Sequence, residues 1–234
     1  MARPLRLIEA GLAFHVTARG NYRQTVFFSD HDRAEYLDLL QRYAGVEGLE
    51  ILGWCAMTNH VHLLVVPQRR ESLSRCLQRV QSEYSRRLNQ RHGPRTGHLW
   101  QSRFYSCPLE GQAVWTVLRY IECNPVRAGL VPEAWESGWS SAAVHCSFQP
   151  APAFLSAREW AALWSAQRWQ SVLAHGQDER QIAAIQEASR RGLPFGSDQF
   201  VKQMGHRAGR NLIARSVGRP RVRSASGTAA GMLP

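Results

Sequence analysis

Two histidines one residue apart, His60-Val61-His62, are the first feature able to do chemistry. On a strand, residues two apart share a face, so their imidazoles stand side by side while Val61, Leu63 and Val65 point the other way. Neutral imidazoles so placed form half of a metal site. The same spacing also fits two ordinary surface histidines on a half-exposed strand. Apolar residues fill every position from Leu63 to Val66, however, which marks an inner strand where an unpartnered polar pair is costly. The second feature is Tyr120 with Asn124 four residues on, which puts both on one helix face. Asn124 immediately precedes Pro125, so its amide lies at a helix end. A phenol with a pKa near 10 is a poor nucleophile at neutral pH. A divalent cation that polarises a phosphate makes its attack feasible. Tyr120 taken alone reads equally as a packed core tyrosine.

The elements that must position these residues follow from periodicity. Leu12 to Thr17 alternates as a strand, and Arg19-Gly20-Asn21 closes it as a loop. Ser29-Asp30 caps an expected helix that stops at Gly45. Glu50 to Ala56 and His60 to Val66 read as strands joined by a turn at Thr58-Asn59, the second ended by Pro67. A helix opens at Ser72 and presents Leu73, Cys76, Leu77, Val80, Tyr84 and Leu88 on one face, with Arg75, Arg79, Arg86 and Arg87 on the other. Arg103 to Pro108 suits a fourth strand and Gln112 to Cys123 a helix ended by Pro125. The order predicts an α+β fold. It is a ferredoxin-like split βαβ antiparallel sheet with an added catalytic helix, plus a helical basic C-terminal extension. Two helices cover one sheet face and leave the other for a site.

Beyond residue 150, Ser156-Ala157-Arg158-Glu159 has the capping-box pattern ahead of a helix holding Trp160, Leu163, Trp164 and Leu173. A further helix is expected from Asp178 to Arg191, stopped by Gly192, and a short one from Ser197 through Met204. This pair also suits a helix-turn-helix, although nothing fixes a recognition helix. The expected organisation is residues 1–148 as the catalytic domain, 149–216 as a helical accessory DNA-binding region and 217–234 as a basic flexible tail. Truncation after Phe148 is then expected to keep the sheet that carries the histidines and the helix of Tyr120, and to lose what the accessory region adds to binding.

Composition narrows the partner. The chain has 234 residues and a formal net charge of +11. Lys202 is its single lysine, so 28 of its 29 basic residues are arginine, the side chain that grips phosphate with a planar fork. From Arg190 onward the charge is +8, against +3 before it. Nucleic acid is the leading partner class. At 44% apolar, the chain can build a core, and no run approaches the ~20 apolar residues of a membrane span. Five cysteines, none in a C-x-x-C pair, argue against a disulfide framework and for a reducing cytoplasm.

Asn59-His60-Val61-His62-Leu63-Leu64-Val65, Leu99-Trp100-Gln101-Ser102-Arg103-Phe104-Tyr105 and Tyr120-Ile121-Glu122-Cys123-Asn124-Pro125-Val126-Arg127-Ala128-Gly129-Leu130-Val131 occur in that order. With Phe14 to Asn21, they resemble the HUH single-tyrosine transposases, and most closely the REP-associated branch linked to repeated extragenic palindromes. The resemblance covers roughly residues 5 to 145. It implies a ferredoxin-like fold and a divalent metal, Mg²⁺ or Mn²⁺, on His60, His62 and Asn124. Asn124 holds a position that is often Gln in relatives. It also implies Tyr120 as the nucleophile. The implied activity is cleavage and rejoining of single-stranded or hairpin DNA through a 5′-phosphotyrosine. Tyr105 is the rival tyrosine. A catalytically silent DNA- or RNA-binding regulator is the alternative, and replication initiators and relaxases share the chemistry but often pair two tyrosines. One tyrosine holds one covalent end, so strand exchange calls for a homodimer or sequential turnover. A cytoplasmic, nucleoid-associated protein without membrane contact is expected.

The candidate DNA-binding residues are Arg19, Asn21 and Arg23 in the first loop and Arg103 and Arg127 flanking the site. Arg219 and Arg221 join them in the tail, where Val217-Gly218-Arg219-Pro220-Arg221 resembles the core of an AT-hook, with Val217 in place of its first arginine.

Overall fold

The computed structural model describes residues 7–93, 97–101 and 103–212. The chain runs through β1 (Phe14–Arg19), a short 3₁₀ turn (Asn21–Arg23), α1 (Asp30–Glu47), β2 (Leu49–Met57), β3 (His60–Pro67), α2 (Ser72–His92), β4 (Tyr105–Pro108) and α3 (Ala113–Glu122). It continues through α4 (Asn124–Arg127), a second 3₁₀ turn (Ala134–Glu136), α5 (Ser141–His145), α6 (Arg158–Leu163), α7 (Ala166–Ala174), α8 (Glu179–Arg191) and α9 (Asp198–Arg207). The strands form one sheet in the order β2-β3-β1-β4, antiparallel at every junction. This is the ferredoxin-like α+β arrangement expected from the sequence. No helix among the described residues is long and apolar enough to cross a membrane.

Strand alternation sorts the side chains into two layers. Phe14, Val16, Ala18, Val61, Leu63 and Val65 join Tyr36, Leu40, Leu73, Leu77 and Tyr84 of α1 and α2 in one core. The pairing Thr17↔His62, Arg19↔His60, Thr17↔Tyr105 and His15↔Cys107 sends those residues to the opposite face. A register shift between Ile51 and Gly53 moves the alternation of β2 by one residue, so Leu49 and Ile51 before it and Trp54 and Ala56 after it all reach the first core. The second core joins Leu64, Leu118, Ile121, Trp169, Leu173, Ile185 and Ala188. Residues on both sides of position 148 therefore pack on the face that carries the histidines.

Three local expectations need correction. α1 does not stop at Gly45. That glycine is exposed, and a helix tolerates it at ~1 kcal/mol; the left-handed Gly48 (φ 64) closes α1 instead. Ser156 does not cap a helix, because its hydroxyl donates to Glu50. Ala157 holds the cap position without a side-chain bond, and the expected single helix is two, α6 and α7, with Ser165 capping the second. Pro125 ends α3, but a further turn, α4, follows at once with Pro125 in its first turn, where a missing N–H is harmless. Several arginines of α2 are held by acidic groups within the protein. Arg79 pairs with Glu47, Arg87 with Glu35 and Glu83, and Arg91 with Asp32 and Glu35. All five cysteines are buried and free.

Candidate active site

Hydrogen bonds to the groups that face away from the cleft orient the three candidate metal ligands. Asn59 Nδ2 donates to the Arg23 carbonyl at 3.1 Å, which turns Asn59 Oδ1 toward His60 Nδ1 at 2.6 Å. An amide oxygen only accepts, so His60 carries its proton on Nδ1 and presents a bare Nε2. His62 Nδ1 is met by His15 Nε2 at 2.8 Å and by the Thr17 hydroxyl at 3.2 Å. Asn124 Nδ2 donates to the carbonyls of Tyr120 (3.1 Å) and Ile121 (3.0 Å), the last carbonyls of α3, which leaves its Oδ1 as the acceptor. Neither histidine Nε2 nor Asn124 Oδ1 has a hydrogen bond among the described residues. Burial, with Arg19 beside it, lowers the pKa of His60 to about 4. Burial, joined by His60, His15 and nearby arginines, holds His62 well below its ordinary value. Both are therefore in the neutral form that ligates.

These groups line one cleft of about 730 Å³ with Tyr120, Thr17, Met57, Gln101 and Tyr105. Tyr120 is buried, and its ring stands edge-on to His62 at 5.9 Å and to His15 at 5.7 Å between centroids. The Arg127 guanidinium lies over that ring at 4.2 Å and donates to the Tyr120 carbonyl and to Gln177 Oε1. It is worth about 1–2 kcal/mol as a partly desolvated cation–π pair. Arg19, Arg23, Arg127 and Arg190 line the cleft, and no carboxylate does among the described residues. The first loop is held rigidly. Tyr22 and Arg23 adopt left-handed φ values of 49 and 61, and Asn21 N–H and Gln24 Nε2 both donate to the Leu99 carbonyl.

The residues fit a divalent cation. Two imidazole nitrogens and one amide oxygen make a neutral, incomplete set that leaves room for phosphate and water oxygens. No cluster of three or more His, Cys, Asp or Glu side chains suited to a metal occurs among the described residues, so any such ion would depend on this mixed set.

The structure thus brings together His60, His62, Tyr120, Asn124, Arg19, Arg23 and Arg127. Asn21 and Arg103 do not line the cleft, and Arg103 is exposed. Arg219 and Arg221 lie outside the described residues. Tyr105 does reach the cleft from β4, whereas Tyr120 has the closer tie to His62 and Asn124. Sequence reading missed Gln186, Ser189 and Arg190 of α8, which close the cleft from a distant part of the chain. His15 was legible as a residue on the face of Thr17. Its neighbour Ser189 left no local signal.

No curated protein matches the chain. Among solved structures, a REP-associated tyrosine transposase bound to a REP hairpin is similar at 16% identity and a TM-score of 0.54, over 67% of this chain and 92% of that one. A Deinococcus radiodurans R1 protein solved as a candidate transposase is 23% identical over 52% of this chain and 96% of that one, at a TM-score of 0.36. The family model described as "Transposase IS200 like" matches residues 9–124. That span runs from the turn before β1 to Asn124 and so holds the whole sheet, the histidine pair and Tyr120; the chain belongs to the IS200-like transposases, the HUH tyrosine transposase family that its motifs resemble.

Proposed function

We propose that the protein cleaves and rejoins single-stranded or hairpin DNA through a 5′-phosphotyrosine intermediate that depends on a divalent metal. One observation carries this reading. Two imidazoles whose Nε2 atoms have no hydrogen bond among the described residues, an amide oxygen and a tyrosine line one arginine-rich cleft, with no carboxylate among the described residues. His60, His62 and Asn124 would hold the ion, and a Mg²⁺ or Mn²⁺ bound there supplies polarisation of the scissile phosphate.

The chain's own groups do the rest. Arg19, Arg23 and Arg127 neutralise the strand's phosphates at the cleft. Tyr120 Oη forms a bond to phosphorus as the bond from phosphorus to the 3′ oxygen breaks. The phenol loses its proton and the departing oxygen gains one, leaving a 3′-hydroxyl and a 5′-phosphotyrosine. His15, His62 and Arg127 pack against the ring and limit its rotation, which supports a phenol fixed at the cleft. The covalent bond keeps the phosphodiester's free energy, so a second 3′-hydroxyl can reverse the step. The hairpin bound to the REP-associated relative supports palindromic DNA as the substrate class. The accessory role of residues 149–216 in holding DNA belongs to the same proposal, supported by Gln186 and Arg190 at the cleft.

The test is cleavage of a single-stranded palindromic oligonucleotide with Mg²⁺, with Mn²⁺ and with EDTA. Cleavage lost in EDTA and in the His60→Ala/His62→Ala variant is expected. Undiminished cleavage by that variant contradicts the metal reading. Tight DNA binding without cleavage in either metal favours a silent regulator.

A further inference from the structure

A run of buried polar groups connects His62 to the far side of the fold. Cys107 Sγ lies 3.0 Å from the carbonyl oxygen of Leu193, just past α8. A carbonyl only accepts, so the thiol donates to it. Ser189, on α8 four residues before Leu193, is the next buried polar group toward His62. A bare Nε2 on His62 requires His62 to donate from Nδ1, so His15 must accept at Nε2 and carry its own proton on Nδ1. Ser189 Oγ then receives His15 Nδ1–H across 2.7 Å. A neutral imidazole has one ring proton, so His15 Nε2 is bare and accepts from His62 Nδ1 across 2.8 Å. The chain ends with His62 protonated on Nδ1 and its Nε2 lone pair free for the cleft.

We propose that Ser189 and His15 are positioning residues for the reaction, which fix His62 in the tautomer and ring orientation that a metal requires. Ser189 is on α8, outside the residues that match the family, and both it and His15 are buried. The C-terminal helical region is thereby part of the catalytic apparatus, in contrast to a detachable DNA-holding appendage. Without Ser189 the same atoms can reverse direction. His15 would donate from Nε2, His62 would accept at Nδ1, and its only ring proton would sit on Nε2, where it blocks ligation. Groups that orient a ligating histidine in this way typically raise metal affinity about 10- to 100-fold.

This inference rests on the proposed function, and the tautomer and the metal are read by separate measurements. The experiment is therefore imidazole nitrogen-15 NMR of the full-length, metal-free protein at neutral pH, followed by Mn²⁺ titration read by electron paramagnetic resonance. Wild type is expected to show His62 protonated on Nδ1. Ser189→Ala is expected to show a mixture of tautomers and about 10- to 100-fold weaker Mn²⁺ binding. Ser189→Thr, which keeps a hydroxyl, is expected to restore both. A wild-type His62 protonated on Nε2 overturns the inference whether or not any variant folds. An unchanged tautomer and unchanged Mn²⁺ affinity in a folded Ser189→Ala overturn it too. The expected tautomer pattern with no Mn²⁺ binding to wild type supports the positioning chain and contradicts the metal reading instead.

Discussion

Glu122 sits between Tyr120 and Asn124 in sequence but faces away from them, and its removal is expected to loosen the catalytic helix from behind. The side chain is fully buried. Its carboxyl accepts from Ser141 Oγ at 2.5 Å, His145 Nδ1 at 2.6 Å and Trp169 Nε1 at 2.7 Å. These donors come from α5 and α7, so one carboxyl ties α3 to two elements of the C-terminal half. Glu122→Ala leaves three buried donors without that acceptor, each costing about 1–3 kcal/mol, and a cavity besides. Compensation by neighbours makes the full sum an upper limit, so about 3–5 kcal/mol is expected, in line with breaking other buried polar pairs. Glu122→Gln keeps one oxygen and the shape, and is expected to cost about 1–2 kcal/mol. Urea unfolding followed by tryptophan fluorescence measures both. A double-mutant cycle with Trp169→Phe should show a coupling of about 0.5–3 kcal/mol. A Glu122→Ala loss below about 1 kcal/mol, or no coupling to Trp169, refutes the reasoning.

Two further outcomes test the packing and the electrostatics. At Gly53 a methyl group would come within 2.3 Å of Leu118 Cδ1, so Gly53→Ala is expected to push α3 off β2 and cost about 1–3 kcal/mol by denaturation, with a larger loss of cleavage than of DNA affinity. Burial, aided by Arg127 and His60, lowers the His15 pKa to about 3, and that of His60 falls to about 4. The unfolded chain binds these protons near pH 6.5 and the native state does not. Stability is therefore full above about pH 6.5 and falls toward pH 4, by about 1.4 kcal/mol per pH unit for each histidine. His15→Gln should flatten that slope in urea titrations across this window, and an unchanged slope contradicts the assignment.

The fold was legible because its core obeys simple periodicities. Strand alternation at Phe14, Val16 and Val61, Leu63, Val65 and helical spacing from Leu73 to Leu88 each point one way, and the structure uses all of them as read. The histidine pair was legible for the same reason, since the residue-two rule places both rings on one face. Errors fell where tertiary contacts outweigh local signals. Ser156 has a cap's chemistry but donates to Glu50, and Gly45 has a stop's chemistry but sits on a face with nothing to hinder the helix. Arg79 and Arg87 lie on the polar face of α2 as read, but Glu47 pairs with the first and Glu35 and Glu83 with the second. Ser189 and Glu122 were invisible as site residues because their meaning lies in partners 174 and up to 47 residues away, His15 and Trp169.

The central claim is that Tyr120 becomes covalently attached to DNA. The direct measurement is incubation of the full-length protein with a labelled palindromic single strand and Mn²⁺, denaturing electrophoresis, and peptide mass spectrometry of the labelled band. A 5′-phosphate adduct on Tyr120 is expected, retained by Tyr105→Phe and absent from Tyr120→Phe. An adduct mapped to Tyr105, or one that survives Tyr120→Phe, contradicts the account.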